Sequence, residues 1–201
     1  MHLGEFIPQT KLIETAIKEI SPKEILHIPF ARTNFNPNEP ERENGRFLKN
    51  IDIGNAKYFD ANDKTNLDQL TDPLIILSGW AQSSNLLDKI TNNPKLLDLV
   101  LNASYLIWES SGAKIVWQKA RIRDKSTGER IIAKWLNILP NTIIEPHYSA
   151  QKRESILKKT KEENKIKFWI WIDSCTAIVL DTNNYPQDHK TIGKWKAYII
   201  K

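Results

Sequence analysis

Tyr105-Leu-Ile-Trp-Glu-Ser-Ser-Gly-Ala-Lys114 changes character in its middle, and the fold is read from that change. Tyr105 to Trp108 is an apolar run of the length and residue type of a buried strand. It breaks at Glu109-Ser110-Ser111-Gly112, after which Ala113-Lys-Ile-Val-Trp-Gln-Lys-Ala120 can be helical. A strand that turns sharply through a serine into a helix lifts the serine oxygen above the sheet. It also leaves the next backbone N–H available to stabilise an oxyanion. Such a turn favours small residues two before and two after the serine, because strand and helix then approach closely. In Trp108-Glu109-Ser110-Ser111-Gly112 the second small residue is present, and tryptophan stands in place of the first.

Upstream of this turn, Thr10 can cap a helix through Ile20, with Leu12, Ile13, Ala16, Ile17 and Ile20 on one face, and Ser21-Pro22 ends it. Ile25 to Ala31 reads as a buried strand, Arg32 to Asn50 as a polar loop leading to a short helix, and Ala56 to Asp60 as a short strand. Leu74-Ile-Ile-Leu77 is a buried strand ended by Ser78-Gly79. Ser83 or Ser84 caps a helix over Asn85 to Ile90, and Pro94 starts another over Lys95 to Asn102. Downstream, Arg121 to Arg130 is charged and carries a Ser126-Thr-Gly128 turn, and Ile131 to Leu139 is mixed. Thr142-Ile-Ile-Glu145 is a short extended run ended by Pro146-His147-Tyr148, and Ser149 can cap a basic helix through about Asn164. Lys167 to Ile172, Thr176 to Leu180 and Trp195 to Ile200 read as strands.

Strands alternate with helices over most of the length, and the early strands are apolar throughout. That pattern predicts an α/β fold: a three-layer, doubly wound, mostly parallel sheet covered on both faces. The last strands have no helices between them, which predicts an antiparallel C-terminal edge or hairpin. No Pro/Gly linker divides the chain, so residues 1–201 are expected to form a single domain.

Composition narrows the function classes. No apolar run approaches the ~18 residues of a membrane span, and the start lacks the basic head and apolar core of a secretory signal. Cys175 is the only cysteine, which excludes an intrachain disulfide and suits a reducing, cytoplasmic setting. As a lone thiol just before a strand it is expected to be packed and unreactive. The net charge of +5 is modest, and the basic, aromatic run Lys165 to Trp171 alternates as a sheet strand does, so nucleic acid is not an expected partner. No His/Cys cluster has metal-ligand spacing and no glycine-rich phosphate loop is present, so neither a metal nor a cofactor is expected.

A serine nucleophile needs a base, and a histidine base needs an acid to orient it. His2 is terminal, His27 lies inside a strand as a satisfied core histidine would, and His189 falls in a polar loop. His147 follows a strand end, where the loops of α/β sheets carry active sites. Glu145 is too close to it in sequence to move independently, and Asp173 closes the Phe168–Ile172 strand. Gly79-Trp-Ala-Gln-Ser-Ser84 leads from a strand into a helix and can supply a second oxyanion N–H.

In this order, these pieces resemble the peptidase E family of serine peptidases, which has the doubly wound fold of the class I glutamine amidotransferases. Ile28-Pro-Phe-Ala31 is similar to the family's Ile-Pro-x-Ala, and Leu77-Ser-Gly-Trp-Ala-Gln-Ser-Ser-Asn-Leu-Leu87 to its Gly-Gly-Gly-Asn-Thr-Phe-x-Leu-Leu turn. Ser110-Ser-Gly-Ala113 is similar to its Ser-Ala-Gly-Ala elbow. Leu139-Pro140, Pro146-His-Tyr148 and Arg153 resemble its Leu-Pro … Pro-His-Tyr/Phe … Arg block, and Ile172 to Val179 its Ile-x-Glu-x-Thr-Ala segment. The chain departs from the family at Trp80 and Ala81, where glycines stand, at Gln82 for Asn, at Trp108 for a small residue and at Lys114 for Asn.

The resemblance implies a serine hydrolase cleaving small peptides, with acidic N-terminal dipeptides as candidates. Ser110 would be the nucleophile, His147 the base and Asp173 the triad acid. Ser111 and the backbone of Gly79, Trp80 and Ala81 would form the oxyanion hole, and Arg153, with Lys152 beside it, would hold a substrate carboxylate. The expected partner is a small peptide, with the protein a monomer or homodimer. The alternative is a catalytically degenerate binding protein on the same fold, recognising a small acidic ligand.

Overall fold

Short runs of Ile and Leu without alternation can be satisfied only where both faces of a strand are covered, and the computed structural model of the chain places them so. It describes residues 6–31, 51–62, 64–79, 83–110, 112–117, 119–123, 130–147, 154–173, 176–193 and 197–200. The chain divides into two compact units, one spanning Ile13–Ala113 and the other comprising the residues from Lys114 onward with those before Ile13.

In the Ile13–Ala113 unit, β1 (Glu24–Ile28), β2 (Lys57–Asp60), β3 (Leu74–Leu77) and β4 (Leu106–Trp108) form a parallel sheet of order β2-β1-β3-β4. Ile25, Leu26, Ile28 and all four residues of β3 are buried. On one face, Ile13 and Ile17 of helix α1 (Phe6–Ile20) pack with Ile25, Ile51, Leu74 and Ile76. Leu26, Ile28, Ile75 and Leu77 point to the opposite face by the two-residue period of a strand, and they too are buried. Helices α2 (Ser83–Thr91) and α3 (Pro94–Leu101) connect β3 to β4 and bury Leu86, Ile90, Leu96 and Val100. The Asn93 side chain caps α3 by accepting the Leu96 N–H at 3.2 Å, and Pro94 follows at the first turn, where its missing N–H is harmless.

The strand order carries a functional consequence. From β1 the chain steps outward to β2, then returns to the other side of β1 as β3. The order therefore reverses between β1 and β3, and the C-terminal strand ends beside such a reversal are where open α/β sheets bind ligands.

In the other unit, β7 (Thr142–Pro146) and β8 (Phe168–Ile172) are parallel neighbours joined through helix α5 (Glu154–Glu163). The edge strand β11 (Ala197–Ile200) lies antiparallel on the far side of β8. β9 (Thr176–Leu180) and β10 (His189–Gly193) form an antiparallel hairpin. The expected mixed α/β fold with antiparallel C-terminal strands is therefore present. Among the described residues no helix is long and apolar enough to cross a membrane.

Several local readings need correction. Ala113 to Ala120 is not a helix: α4 covers only Gly112–Ile115, and Lys119–Arg123 is β5, paired antiparallel with β6 (Arg130–Lys134). The carbonyls that a longer helix would use are taken by another segment. Ile115, Val116 and Trp117 accept from the N–H groups of Leu136, Leu139 and Asn137 at 3.0, 3.1 and 2.8 Å. His189 belongs to β10 rather than a loop, and Thr10 lies inside α1, which starts at Phe6. The first strand stops at Ile28 rather than Ala31, because Pro29 has no N–H for the ladder. The 32–50 loop, the 126–128 turn and Cys175 lie outside the described residues.

Candidate functional site

Ser110 is the first residue to leave the plane of the sheet after β4, and it does so in the left-handed region with φ +47°. For an L-residue that conformation costs roughly 1–2 kcal/mol, because Cβ crowds the following carbonyl. The turn is closed locally. The Gly112 N–H donates to the Glu109 carbonyl at 2.7 Å and the Ala113 N–H to the Ser110 carbonyl at 3.1 Å, so the chain enters α4 at once. Gly112 is required by space rather than by backbone angle. A Cβ there would lie 2.3 Å from the Leu77 carbonyl oxygen. The same oxygen accepts the Glu109 N–H at 3.0 Å, so the end of β3 is the floor on which the serine turn is built. The predicted strand–serine–helix turn is thus present, with the glycine after the serine making the close approach.

Gly79 stands next to this turn. Leu77 is in register with Trp108, so two residues on, Gly79 and Ser110 leave neighbouring parallel strands at the same level. Gly79 is buried.

The other unit repeats this arrangement with different chemistry. Pro146 of β7 is in register with Ile172 of β8, so His147 and Asp173 are the first residues past two neighbouring parallel strand ends. Adjacent strands lie ~4.8 Å apart, so the two residues leave neighbouring strand ends. His147 also turns in the left-handed region, with φ +57°, and both residues are half-buried. Glu145, the other acid in this stretch, is buried within β7 opposite Trp171. Ser110 and Gly79 thus share one strand-end pair, and His147 and Asp173 share another. Ser111, Trp80, Ala81, Arg153 and Lys152 lie outside the described residues.

His27 is the satisfied core histidine that its strand position predicts, but its partners were not legible. Its Nε2 lies 2.6 Å from Ser78 Oγ and its Nδ1 2.8 Å from the Tyr58 hydroxyl. Ser78 is fully buried and His27 nearly so. Burial, with the Asp60 carboxylate second, raises the Tyr58 phenol well above its ordinary range. The signal that could have found these partners is register: β1 pairs with both β2 and β3, which puts Tyr58 and Ser78 on either side of His27.

No family model matches the chain, and no curated protein matches it. Among solved structures it is similar to the crystal structure of a peptidase from an acI-B1 Actinobacterium, with a TM-score of 0.73. The match has 20% sequence identity and covers 96% of this chain and 84% of that one. At this identity the likeness is one of fold.

Proposed function

We propose that this chain is a peptidase-like hydrolase of the serine type, acting on small peptides by acyl transfer. The observation that carries the reading is the Ser110 turn: a non-glycine residue in a left-handed conformation between a parallel strand and a helix, with Gly112 pressed against the Leu77 carbonyl. The peptidase with the same fold is its second support.

In this mechanism Ser110 Oγ attacks the scissile carbonyl carbon while its proton passes to His147, and Asp173 holds the imidazole and offsets the charge it gains. The N–H of Ser111 and the backbone of Gly79 to Ala81 receive the oxyanion of the tetrahedral intermediate. His147 then gives the proton to the leaving amine. Water, deprotonated by the same imidazole, releases the acyl group and restores Ser110. Arg153 supplies the counter-charge for an acidic N-terminal side chain of the substrate.

A fluorophosphonate probe tests this directly, since it forms a stable bond only with an activated serine. Peptide mapping should place the adduct on Ser110, with no adduct in Ser110→Ala and labelling slowed at least ~100-fold in His147→Ala. A native protein that stays unlabelled at Ser110 while a small acidic peptide still binds would instead identify a non-catalytic binding protein.

A further inference from the structure

The buried Tyr58–His27–Ser78 chain sits at the reversal of strand order, and the proposed chemistry does not use it. We infer that it is a positioning device: through the His27–Ser78 contact it fixes the end of β3, from which Gly79 continues and on which the turn carrying Ser110 is founded. This role rests on the serine-hydrolase reading, because it concerns the placement of that reading's nucleophile and oxyanion donors.

The geometry argues for it step by step. A strand end is ordinarily held by backbone bonds alone, and here the Ser78 N–H donates to the Ile28 carbonyl at 3.2 Å. Ser78 is held a second time through its side chain, 2.6 Å from His27 Nε2. The residue before it, Leu77, offers the carbonyl that accepts the Glu109 N–H and lies against Gly112. The residue after it, Gly79, is buried. A displaced Ser78 would therefore shift Gly79 and the Ser110 turn together.

The second imidazole contact makes the hold directional. In its neutral form an imidazole has one donor and one acceptor nitrogen, and in that form the Tyr58 and Ser78 hydroxyls take opposite roles towards the ring. Each then constrains the other through the ring. Ser78 is itself too buried to act as a nucleophile, being 0% exposed.

The imidazole can be dissected. His27→Gln keeps a polar group near Nε2, facing Ser78, whereas His27→Asn keeps one near Nδ1, facing Tyr58. Two readouts are taken on the full chain, well below each variant's melting point. The first is the rate of Ser110 labelling by the fluorophosphonate. The second is hydrogen exchange at the Ser78 and Glu109 amides, with the Leu26 amide as reference. Ser78→Ala and His27→Asn should slow labelling about 10- to 100-fold, since a misplacement near 1 Å costs ~100-fold at a reacting geometry. They should also quicken exchange at Ser78 and Glu109 at least ~10-fold without altering Leu26. His27→Gln should recover both readouts to within about threefold of the parent, by retaining the contact with Ser78.

Equal loss in His27→Gln and His27→Asn, with Leu26 protection falling as well, would assign the chain to general stability and overturn the positioning role. Unchanged labelling and exchange in Ser78→Ala would overturn it too. A parent protein that never labels removes the hydrolase reading only. The exchange pattern then decides alone whether His27 and Ser78 fix the β3 end, and equal exchange in all variants refutes it.

Discussion

Gly112→Ala should destabilise the protein although it places a better helix former in a helix. The added Cβ would meet the Leu77 carbonyl oxygen at 2.3 Å, its carbon at 3.0 Å and the Leu77 Cβ at 3.3 Å. Relief requires a separation of about 1 Å, and the obstructing atoms are backbone. Leu77 cannot yield easily, because it is paired with Ile28 on one side and Trp108 on the other. Overpacking of this kind costs about 1–3 kcal/mol. Weakening the 3.0 Å bond from Glu109 to Leu77 adds about 1 kcal/mol. Against this, alanine returns at most ~1 kcal/mol of helix propensity, and less at the first residue of a four-residue helix. The net loss is about 1–4 kcal/mol, or a fall in Tm of about 2–16 °C for a chain of this size. Calorimetry measures the fall, and the fluorophosphonate rate shows whether the serine turn has moved with it. Gly54→Ala is the comparison: at φ +61° with nothing within 4 Å it meets only backbone strain, and it should leave Ser110 labelling unchanged. A Gly112→Ala protein that melts within 1 °C of the parent, or labels at the parent's rate, would refute the close approach.

Ser110→Gly should be more stable than Ser110→Ala by about 1 kcal/mol, because both lose the hydroxyl but only glycine relieves the left-handed turn; equal denaturation midpoints would contradict the strain. Asp173→Asn should lower the Ser110 labelling rate at least ~100-fold with little change in Tm, and an unchanged rate would remove Asp173 from the triad. Tyr58 and Tyr185 should resist alkaline ionisation, since burial raises both phenols, with the Thr142 hydroxyl opposing the shift at Tyr185. The unfolded chain then loses those protons first, so stability is intact below about pH 10 and falls above it, by up to about 1.4 kcal/mol per pH unit for Tyr58 and by less for the more exposed Tyr185. Alkaline melts of Tyr58→Phe should show a shallower fall than the parent, and identical slopes would contradict the shift.

Much of the fold was legible because its signals are local. Leu74 to Leu77 has no polar position and could only be a doubly covered strand, and Ser110-Ser-Gly112 breaks an apolar run with turn residues. The β5–β6 hairpin was not read, although Lys119, Arg121 and Arg123 alternate with Ala120 and Ile122 at the period of a strand. Lys, Gln and Ala in 113–120 also favour a helix, and the choice fell to carbonyls claimed from residues 136–139, which no local pattern encodes. That His147 and Asp173 follow neighbouring strand ends is a matter of the β7–β8 register, as the His27–Ser78 contact is of the pairing of β1 with β3. Both depend on which strands become neighbours, a long-range property.

Backbone strain separates the proposed catalytic pair from ordinary turns. Ser21, Asn137, Asn141 and Lys165 also have positive φ, at 50°, 57°, 53° and 53°. Each has a local reason. Ser21 closes the end of α1, with its N–H on the Ile17 carbonyl at 2.8 Å, and Lys165 follows α5, where the Ile166 N–H returns to the Lys161 carbonyl at 3.0 Å. Left-handed residues are the usual way to end a helix, and asparagine tolerates the conformation better than most side chains. Ser110 fits neither rule, and His147, although histidine enters this region more readily than most residues, ends no helix. Both follow a parallel strand, neither is glycine or asparagine, and glycine at either position would remove the backbone cost. A strained side chain where glycine would be cheaper is a reason to propose a role for the side chain itself. A hydroxyl at one such position and an imidazole at the other are the two groups that acyl transfer requires, which is why the backbone angles support the proposed chemistry independently of any sequence motif.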